Sequence, residues 1–335
     1  MGKTTGKATR NDVANLANVS TAVVSYVFNN GPRNVSPQTA QKVRDAAAKL
    51  HYQPNSIARA LRTGNSKTLG AVINDFTNPF ALSIYEKLEM MAAEKGYSML
   101  FATSHSELQK EKAVIKELMN RNVEALFISP CENVTLFTPS NENCRLVIFD
   151  IDRKVPNVST IATDYTKAVQ LGMSHLFKHG HTNIAMIIGQ SSNGISDGRI
   201  NGWYQAFKNE GLPAGHIEHT EFSRIGGYKA MLKILDLKDR PTAIFAGSDL
   251  IALGALRALH ERHIRVPEEI AIISFDGSID SQYTYPELTV IQQNPQEIAR
   301  LALEAAIGPN SKPTRHLLEA KLVIRQSCGC NMKTQ

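Results

Sequence analysis

Beyond Ser66 the chain alternates between short apolar runs and longer amphipathic stretches, and this alternation limits the fold more than any other feature. The apolar runs fall at residues 69–74, 97–103, 125–129, 146–149, 184–188, 243–246 and 271–275, each bounded by turn residues. Helical periodicity fills the intervals, at 81–95, 108–121, 167–179, 199–209, 227–235 and 250–262. A parallel strand needs a crossover before the next strand, and the crossover helix lies on a sheet face. The pattern therefore predicts parallel sheets covered on both faces, and the length suits two such lobes.

The first 62 residues are different. They hold nine of the basic residues (Lys3, Lys7, Arg10, Arg33, Lys42, Arg44, Lys49, Arg59 and Arg62) against two acids, Asp12 and Asp45. That end is +7 in a chain of +6, so the remainder sums to about −1. Charge confined to one end implies a polyanion partner for that end. Thr9 is placed to cap a helix over 11–17, with Asp12 three residues on, and Val13, Leu16 and Ala17 on one side. Asn18-Val19 break it, and Ser20 caps a second helix over 21–29. There Val24, Val27 and Phe28 form the inward stripe, while Thr21, Ala22, Ser25, Tyr26 and Asn29 fall on a small, polar, acid-free face suited to a major groove. Ser36-Pro37 start a third helix whose apolar side is Val43, Ala46, Ala47 and Leu50. Two helices joined by a tight turn and braced by a third make a helix-turn-helix. After Pro54, Ser56 to Arg62 could form two further turns, too short to be stable alone, with Ile57 and Leu61 on one face.

The string Asp12-Val13-Ala14, Val19-Ser20, Val24-Ser25, Val27-Phe28-Asn29, Val35-Ser36, Tyr52-Gln53-Pro54-Asn55 and Ala58-Arg59-Ala60-Leu61-Arg62 closely resembles the lac repressor (LacI/GalR) family of bacterial transcription regulators, and the similarity runs through essentially the whole chain. The resemblance implies a small all-α helix-turn-helix head and an α/β, periplasmic-binding-protein-like body of two doubly wound parallel-sheet lobes. It divides the chain into a DNA-binding domain at 1–53 and a hinge helix and linker at 54–66. The N-lobe would be 67–161 with 293–320, the C-lobe 162–292 with 321–330, and 331–335 a tail. Thr9, Ser20, Thr21, Ala22, Ser25, Tyr26, Asn29, Asn55, Ala58, Arg59, Leu61 and Arg62 stand where relatives meet DNA. Leu61 matches the leucine with which paired hinge helices lever the minor groove open, at a few kcal/mol per unstacked step, offset by wider contact with bent DNA. After Val24-Ser25 the family usually has arginine, and here it is Tyr26. Tyrosine offers one hydroxyl and a ring in place of a bidentate guanine contact, so operator sequence does not transfer from relatives.

In open parallel sheets ligands bind beyond the carboxyl ends of the strands. The loops there carry Ser104-His105, Asp150, Asp152, Arg199, Phe222, Ser248-Asp249 and Asp276. Arg199 at a helix start and Asp276 after a strand suit a small polyol, sugar or nucleobase-like ligand. The resemblance adds that Phe80, Asp150, Arg199, Phe222, Phe245, Ser248 and Asp276 match positions lining the effector pocket. Ser248 stands where many relatives carry asparagine.

Other chemistries find little support. Gly2-Lys3-Thr4-Thr5 has no strand before it, and neither Gly-x-Ser-x-Gly nor His-Glu-x-x-His occurs. Asp150 and Asp152 alternate along a strand end, a poor acid–base pair. Cys131, Cys144, Cys328 and Cys330 make no paired framework, and Cys328-Gly329-Cys330 has no second ligand pair at metal-site spacing. His179-Gly180-His181 reads as a helix C-cap turn. No enzyme chemistry, cofactor or metal is expected. No apolar window approaches a membrane span, and no secretory signal is visible, so a cytoplasmic, nucleoid-associated protein is expected. The reading is a ligand-responsive repressor, a homodimer on a palindromic operator, with a sugar, sugar phosphate or nucleobase-like effector and no membrane partner. The alternative is a solute-binding protein for a sugar or nucleobase that does not act on DNA.

Overall fold

A computed structural model describes residues 8–29, 34–53, 65–130, 144–152, 154–190, 197–309 and 312–330. The chain divides into two compact units, Met1–Ser66 and Lys67–Gln335.

Among the described residues, the first unit packs three helices, α1 (Arg10–Ala17), α2 (Thr21–Asn29) and α3 (Pro37–Lys49). Thr9 and Asp12 close a capping box on α1: Thr9 accepts from the Asp12 N–H, and Asp12 accepts from the Thr9 N–H at 2.7 Å. Asn18 ends α1 at φ 53°, a left-handed turn that asparagine tolerates. Ser36 caps α3 and Pro37 occupies its first turn, where a missing N–H costs nothing. Val13, Ala14, Val24, Val43, Ala46 and Ala47 meet in a small core, with Tyr52 edge-on to Phe28. Leu16, expected to face inward, is 51% exposed instead. Val13 and Ala14 supply the buried positions of α1 instead, with Ala17 partly buried beside them.

The second unit holds two six-stranded sheets. The first sheet has strand order β11-β5-β4-β3-β1-β2, from β1 (Thr68–Ile73), β2 (Ser98–Thr103), β3 (Ala125–Ile128), β4 (Arg145–Phe149), β5 (Ser159–Thr163) and β11 (Arg315–Leu318), all parallel. The second has order β12-β10-β9-β8-β6-β7, from β6 (Ile184–Gly189), β7 (Ile217–Thr220), β8 (Ala243–Ala246), β9 (Ala271–Asp276), β10 (Thr289–Gln292) and β12 (Lys321–Val323). Only β12 in that sheet is antiparallel.

Helices α4 (Pro79–Glu94) and α10 (Pro295–Ile307) cover one face of the first sheet, and α5 (Leu108–Asn120) the other. Around the second sheet, α6 (Tyr165–Lys178) and α7 (Gly198–Asn209) cover one face, and α8 (Arg224–Leu235) and α9 (Asp249–Glu261) the other. Central strands are buried on both sides. In β6, Ile184, Met186 and Ile188 join one core while Ala185 and Ile187 join the other, which is why such strands read as unbroken apolar runs. The chain passes between the sheets three times, between Thr163 and Tyr165, between Gln292 and Pro295, and between Leu318 and Lys321. Among the described residues no helix is long and apolar enough to cross a membrane.

Candidate ligand cleft and nucleic-acid surface

The strands deliver carboxylates at their carboxyl ends from both sheets. Asp150 follows β4 at φ 64°, and Asp276 ends β9 at φ 104°. Left-handed backbone is costly for a residue with a Cβ and is kept where the surroundings hold the side chain to a task. Both acids are tied to residues at the crossings. Tyr165, the first residue of α6, donates to Asp150 at 2.6 Å, and Ser129 donates to its other oxygen at 3.2 Å. Gln293, just after β10, donates to Asp276 at 2.9 Å and accepts from Thr163, at the end of β5, at 2.5 Å. Each acid is thus joined to the opposite lobe through one or two side chains.

Arg199 lies in the first turn of α7. Asp197, the N-cap of α7, accepts from the Arg199 Nε at 3.0 Å and from a terminal nitrogen at 2.8 Å, and the Gly247 carbonyl accepts from the other at 3.0 Å. The guanidinium lies over the rings of Tyr165 and Phe222, 4.9 Å from each centroid. Among the described residues these bonds use one N–H of each terminal nitrogen. Burial opposes charge on Arg199, but the Asp197 carboxylate and its hydrogen bonds raise the arginine above its ordinary range. Burial likewise works against the charged form of Asp197, and the charge and hydrogen bonds of Arg199 reverse that and hold its carboxyl low. Asp276 is pushed well above the usual carboxylate range, first by burial and then by the charge of Asp249. Asp249 is itself raised by burial, although Ser274 and the Ser278 N–H each donate to it at 2.6 Å.

Phe222 is half-exposed against β6, lying so close that a Cβ on Gly189 would sit 2.0 Å from its ring. Phe80, buried in the first turn of α4, lines a groove of about 790 Å³ that also takes in Ile73, Ser278 and Pro295 and so runs between elements of both lobes. Two expected pocket residues are placed elsewhere. Phe245 has no exposed surface, because strand alternation aims it into the core beside Trp203 and Phe275. Ser248 is 2% exposed and spends its hydroxyl as the N-cap of α9, accepting from the Ile251 N–H at 3.3 Å. Asp197, Tyr165 and Gln293 were not singled out in the sequence. Asp197-Gly198 ahead of a helical run was a readable N-cap signal, whereas Tyr165 and Gln293 gain their partners only through folding.

In the head, Ser20 accepts from the Val23 N–H at 3.3 Å and opens α2. Ala22 is exposed, and Thr21 and Tyr26 are half-buried. Ser25, expected on the open face, is 8% exposed and is buried beside Val24 instead. Asn29 ends α2. Thr9 is exposed at the start of α1, and Arg10 on α1 and Lys42, Arg44 and Lys49 on α3 are exposed too. Asn55, Ala58, Arg59, Leu61 and Arg62 lie outside the described residues.

Comparison with known proteins accords with both units. Residues 9–55 match the family described as bacterial regulatory proteins, lacI family, and residues 173–328 match the periplasmic binding protein-like domain. The HTH-type transcriptional repressor PurR of Yersinia pestis (strain Pestoides F) is 31% identical over 334 residues, 96% of each chain. The lac repressor dimer bound to operator and the anti-inducer ONPF superposes with a TM-score of 0.87 at 26% identity, over 96% of this chain and 99% of that one. A LacI family regulator from Enterococcus faecium with bound ribose superposes with a TM-score of 0.68 at 26% identity, over 78% of this chain and 98% of that one. These relatives are transcription regulators and not enzymes, and with a matching head, a matching body and end-to-end similarity the chain belongs to the lacI family of bacterial regulatory proteins.

Proposed function

We propose that this ligand-responsive repressor takes a sugar as its effector, held between Asp150, Arg199 and Asp276 with Phe222 and Phe80 as apolar walls. One observation carries the reading: two carboxylates from opposite lobes and a ring-stacked arginine converge at the strand ends. Sugar hydroxyls donate to carboxylates and accept from a guanidinium, and sugar C–H faces pack on aromatic rings. The ribose-bound relative supports it. A nucleobase-like effector is the second reading, favoured by the flat, half-exposed ring of Phe222. Phe245 and Ser248 have no part in direct contact in this scheme.

The head at 1–53 would read the major groove with Thr21, Ala22 and Tyr26, while Thr9, Ser20 and Asn29 hold the backbone. The segment 54–66 would act as a hinge with Leu61 as its wedge. Of the proposed lobe limits, 67–161 with 293–320 and 162–292 with 321–330, those at 292 and 320 are supported by the crossings after β10 and β11, whereas β5 runs on to Thr163 and moves the first limit from 161 to 163. A homodimer in the cytoplasm, on a palindromic operator in the nucleoid, completes the scheme.

The test begins with duplexes enriched from a random pool by the full-length protein. Anisotropy titrations at several salt concentrations would give the steep salt dependence of phosphate contacts. A panel of sugars and purines, added to the complex, should change operator affinity by about 5–150-fold for the true effector. Asp276→Ala should keep operator binding and lose that response. A response that survives Asp276→Ala would rule out this cleft, and a purine hit with silent sugars would favour the second reading.

A further inference from the structure

The other end of α6 gathers a cluster that the cleft does not use. His175 and His179 are one helical turn apart, in the last turn of α6 and at its C-cap. Cys328 and Cys330 arrive from the segment after β12, and Gly329 between them sits at φ 82°, turning both sulfurs toward the helix. The His175 Nε2 is 3.3 Å from each sulfur, the His179 Nε2 is 3.1 Å from the Cys330 sulfur, and the two sulfurs are 3.4 Å apart. The donor atoms of His175, His179 and Cys330 all lie within 4.8 Å of one another. Cys328 is buried, while the other three are half-buried.

We propose that His175, His179, Cys328 and Cys330 form a site for a thiophilic divalent ion of the zinc class. Two imidazoles and two thiolates are a donor set of structural zinc sites, with Zn–S near ~2.3 Å and Zn–N near ~2.0–2.1 Å. A tetrahedron with those bonds has edges of roughly 3.5–3.8 Å between sulfur and its neighbours. The observed 3.1–3.4 Å spacings are a few tenths of an ångström tighter, so the donors need only spread slightly, and Cys328 must close on His179 to complete the figure. Four protein donors leave no open position, which makes the ion a clip and not a catalyst. It would fasten the segment after β12 to the end of α6, far along that helix from Tyr165. The spacing His-x-x-x-His is common in zinc sites, but its partner pair lies about 150 residues away and only the fold unites them.

The full-length protein, reduced and stripped of metal, would be titrated with Zn²⁺ against a chromophoric chelator, and with Co²⁺ as a spectroscopic probe. One ion per chain is expected, with a cobalt spectrum showing tetrahedral visible bands and sulfur-to-metal charge transfer. Cys330→Ser and His179→Gln should each weaken Zn²⁺ binding by at least ~10-fold, and Cys328→Ser with Cys330→Ser should abolish the charge transfer. His181→Gln, next to the site and bonded to Thr242, should change nothing. A measurement on the unmutated chain guards against misfolded variants: Zn²⁺ should protect Cys328 and Cys330 from maleimide, read by peptide mass. Absence of charge transfer, binding insensitive to the double cysteine change, no protection by Zn²⁺, or a Cys328–Cys330 disulfide persisting under reduction would each overturn the proposal.

Discussion

Asp276 carries a conflict in the ligand-free protein. Its carboxyl is buried, close to the charge of Asp249, and both influences favour the protonated form. Its pKa in the fold is therefore above that of the unfolded chain, near ~3.9. Below the unfolded value both states are protonated and the acid is harmless. As pH rises toward and through the folded value, the unfolded chain ionises first and stability is lost. Asp276→Asn keeps the shape and the acceptor for Gln293 but cannot ionise. Thermal or urea unfolding should show the variant matching the parent near pH 4 and exceeding it increasingly toward pH 8, by on the order of 1–3 kcal/mol. A constant difference across that range would mean that Asp276 has the same pKa folded and unfolded, its burial already compensated. Such a cost, kept at a strained backbone position, fits a binding residue better than a structural one. The acid itself was visible in the sequence as a strand-end residue, as was Arg199. The burial of Phe245 was not, because a four-residue apolar strand with both faces covered gives no clue to which side chain faces which way.

Among the elements, the α8–α9 pair shows how glycine sets helix distance. A Cβ on Gly227 would meet the Ile251 carbonyl at 2.1 Å, and one on Gly254 would meet the Arg224 carbonyl at 2.0 Å. Each glycine opens a notch for the other helix's backbone, which cannot move aside as a side chain could. Gly254→Ala should therefore push the helices apart and lower stability by about 1–3 kcal/mol, measurable as a fall in the denaturant midpoint. Substitution at Gly211, where the space is open but φ is 67°, would act through backbone strain instead. Elements legible in the sequence were those with enough apolar residues to show a period: the runs at 69–74, 184–188 and 271–275 each fall within one residue of β1, β6 and β9 at either end. The unread strands are short or polar: β7 is Ile-Glu-His-Thr, and β12 has three residues. These two lie at sheet edges, as does the unread β11, where one flank needs no burial, whereas the unread β10 is interior but only four residues long. Ser159–Thr163 is fully buried yet has Ile161 as its one large apolar residue among small and hydroxyl-bearing ones, so hydropathy did not reveal it.

At the scale of the whole second unit, the cleft network and the outer surface are coupled through the same crossings. Tyr165–Asp150 and Thr163–Gln293–Asp276 join the lobes, so a ligand that competes for either acid acts on the joint between them. The groove beside Phe80 is bordered by α4 of one lobe and by Ile279 of the other. Among its lining are apolar side chains open to solvent: Phe76 at 46%, Phe101 at 43% and Ile279 at 59%. In the proposed homodimer this patch, on the outer side of the groove from Phe80, would be the association surface, self-complementary about a two-fold axis. Because both lobes contribute to it, any relative shift of the lobes must repack it, which gives the effector a route to the spacing of two heads. Phe101→Asp places a charge on edge strand β2 within this face. Sedimentation should then show monomers at concentrations where the parent is dimeric. Effector binding should persist, since the acids and Arg199 belong to one chain. Operator affinity should fall by roughly 10²–10⁴-fold, because the second head no longer binds at the high effective concentration that a linked pair provides. A dimer that survives Phe101→Asp with full operator affinity would assign the two-fold contact to another surface and remove this route from cleft to DNA.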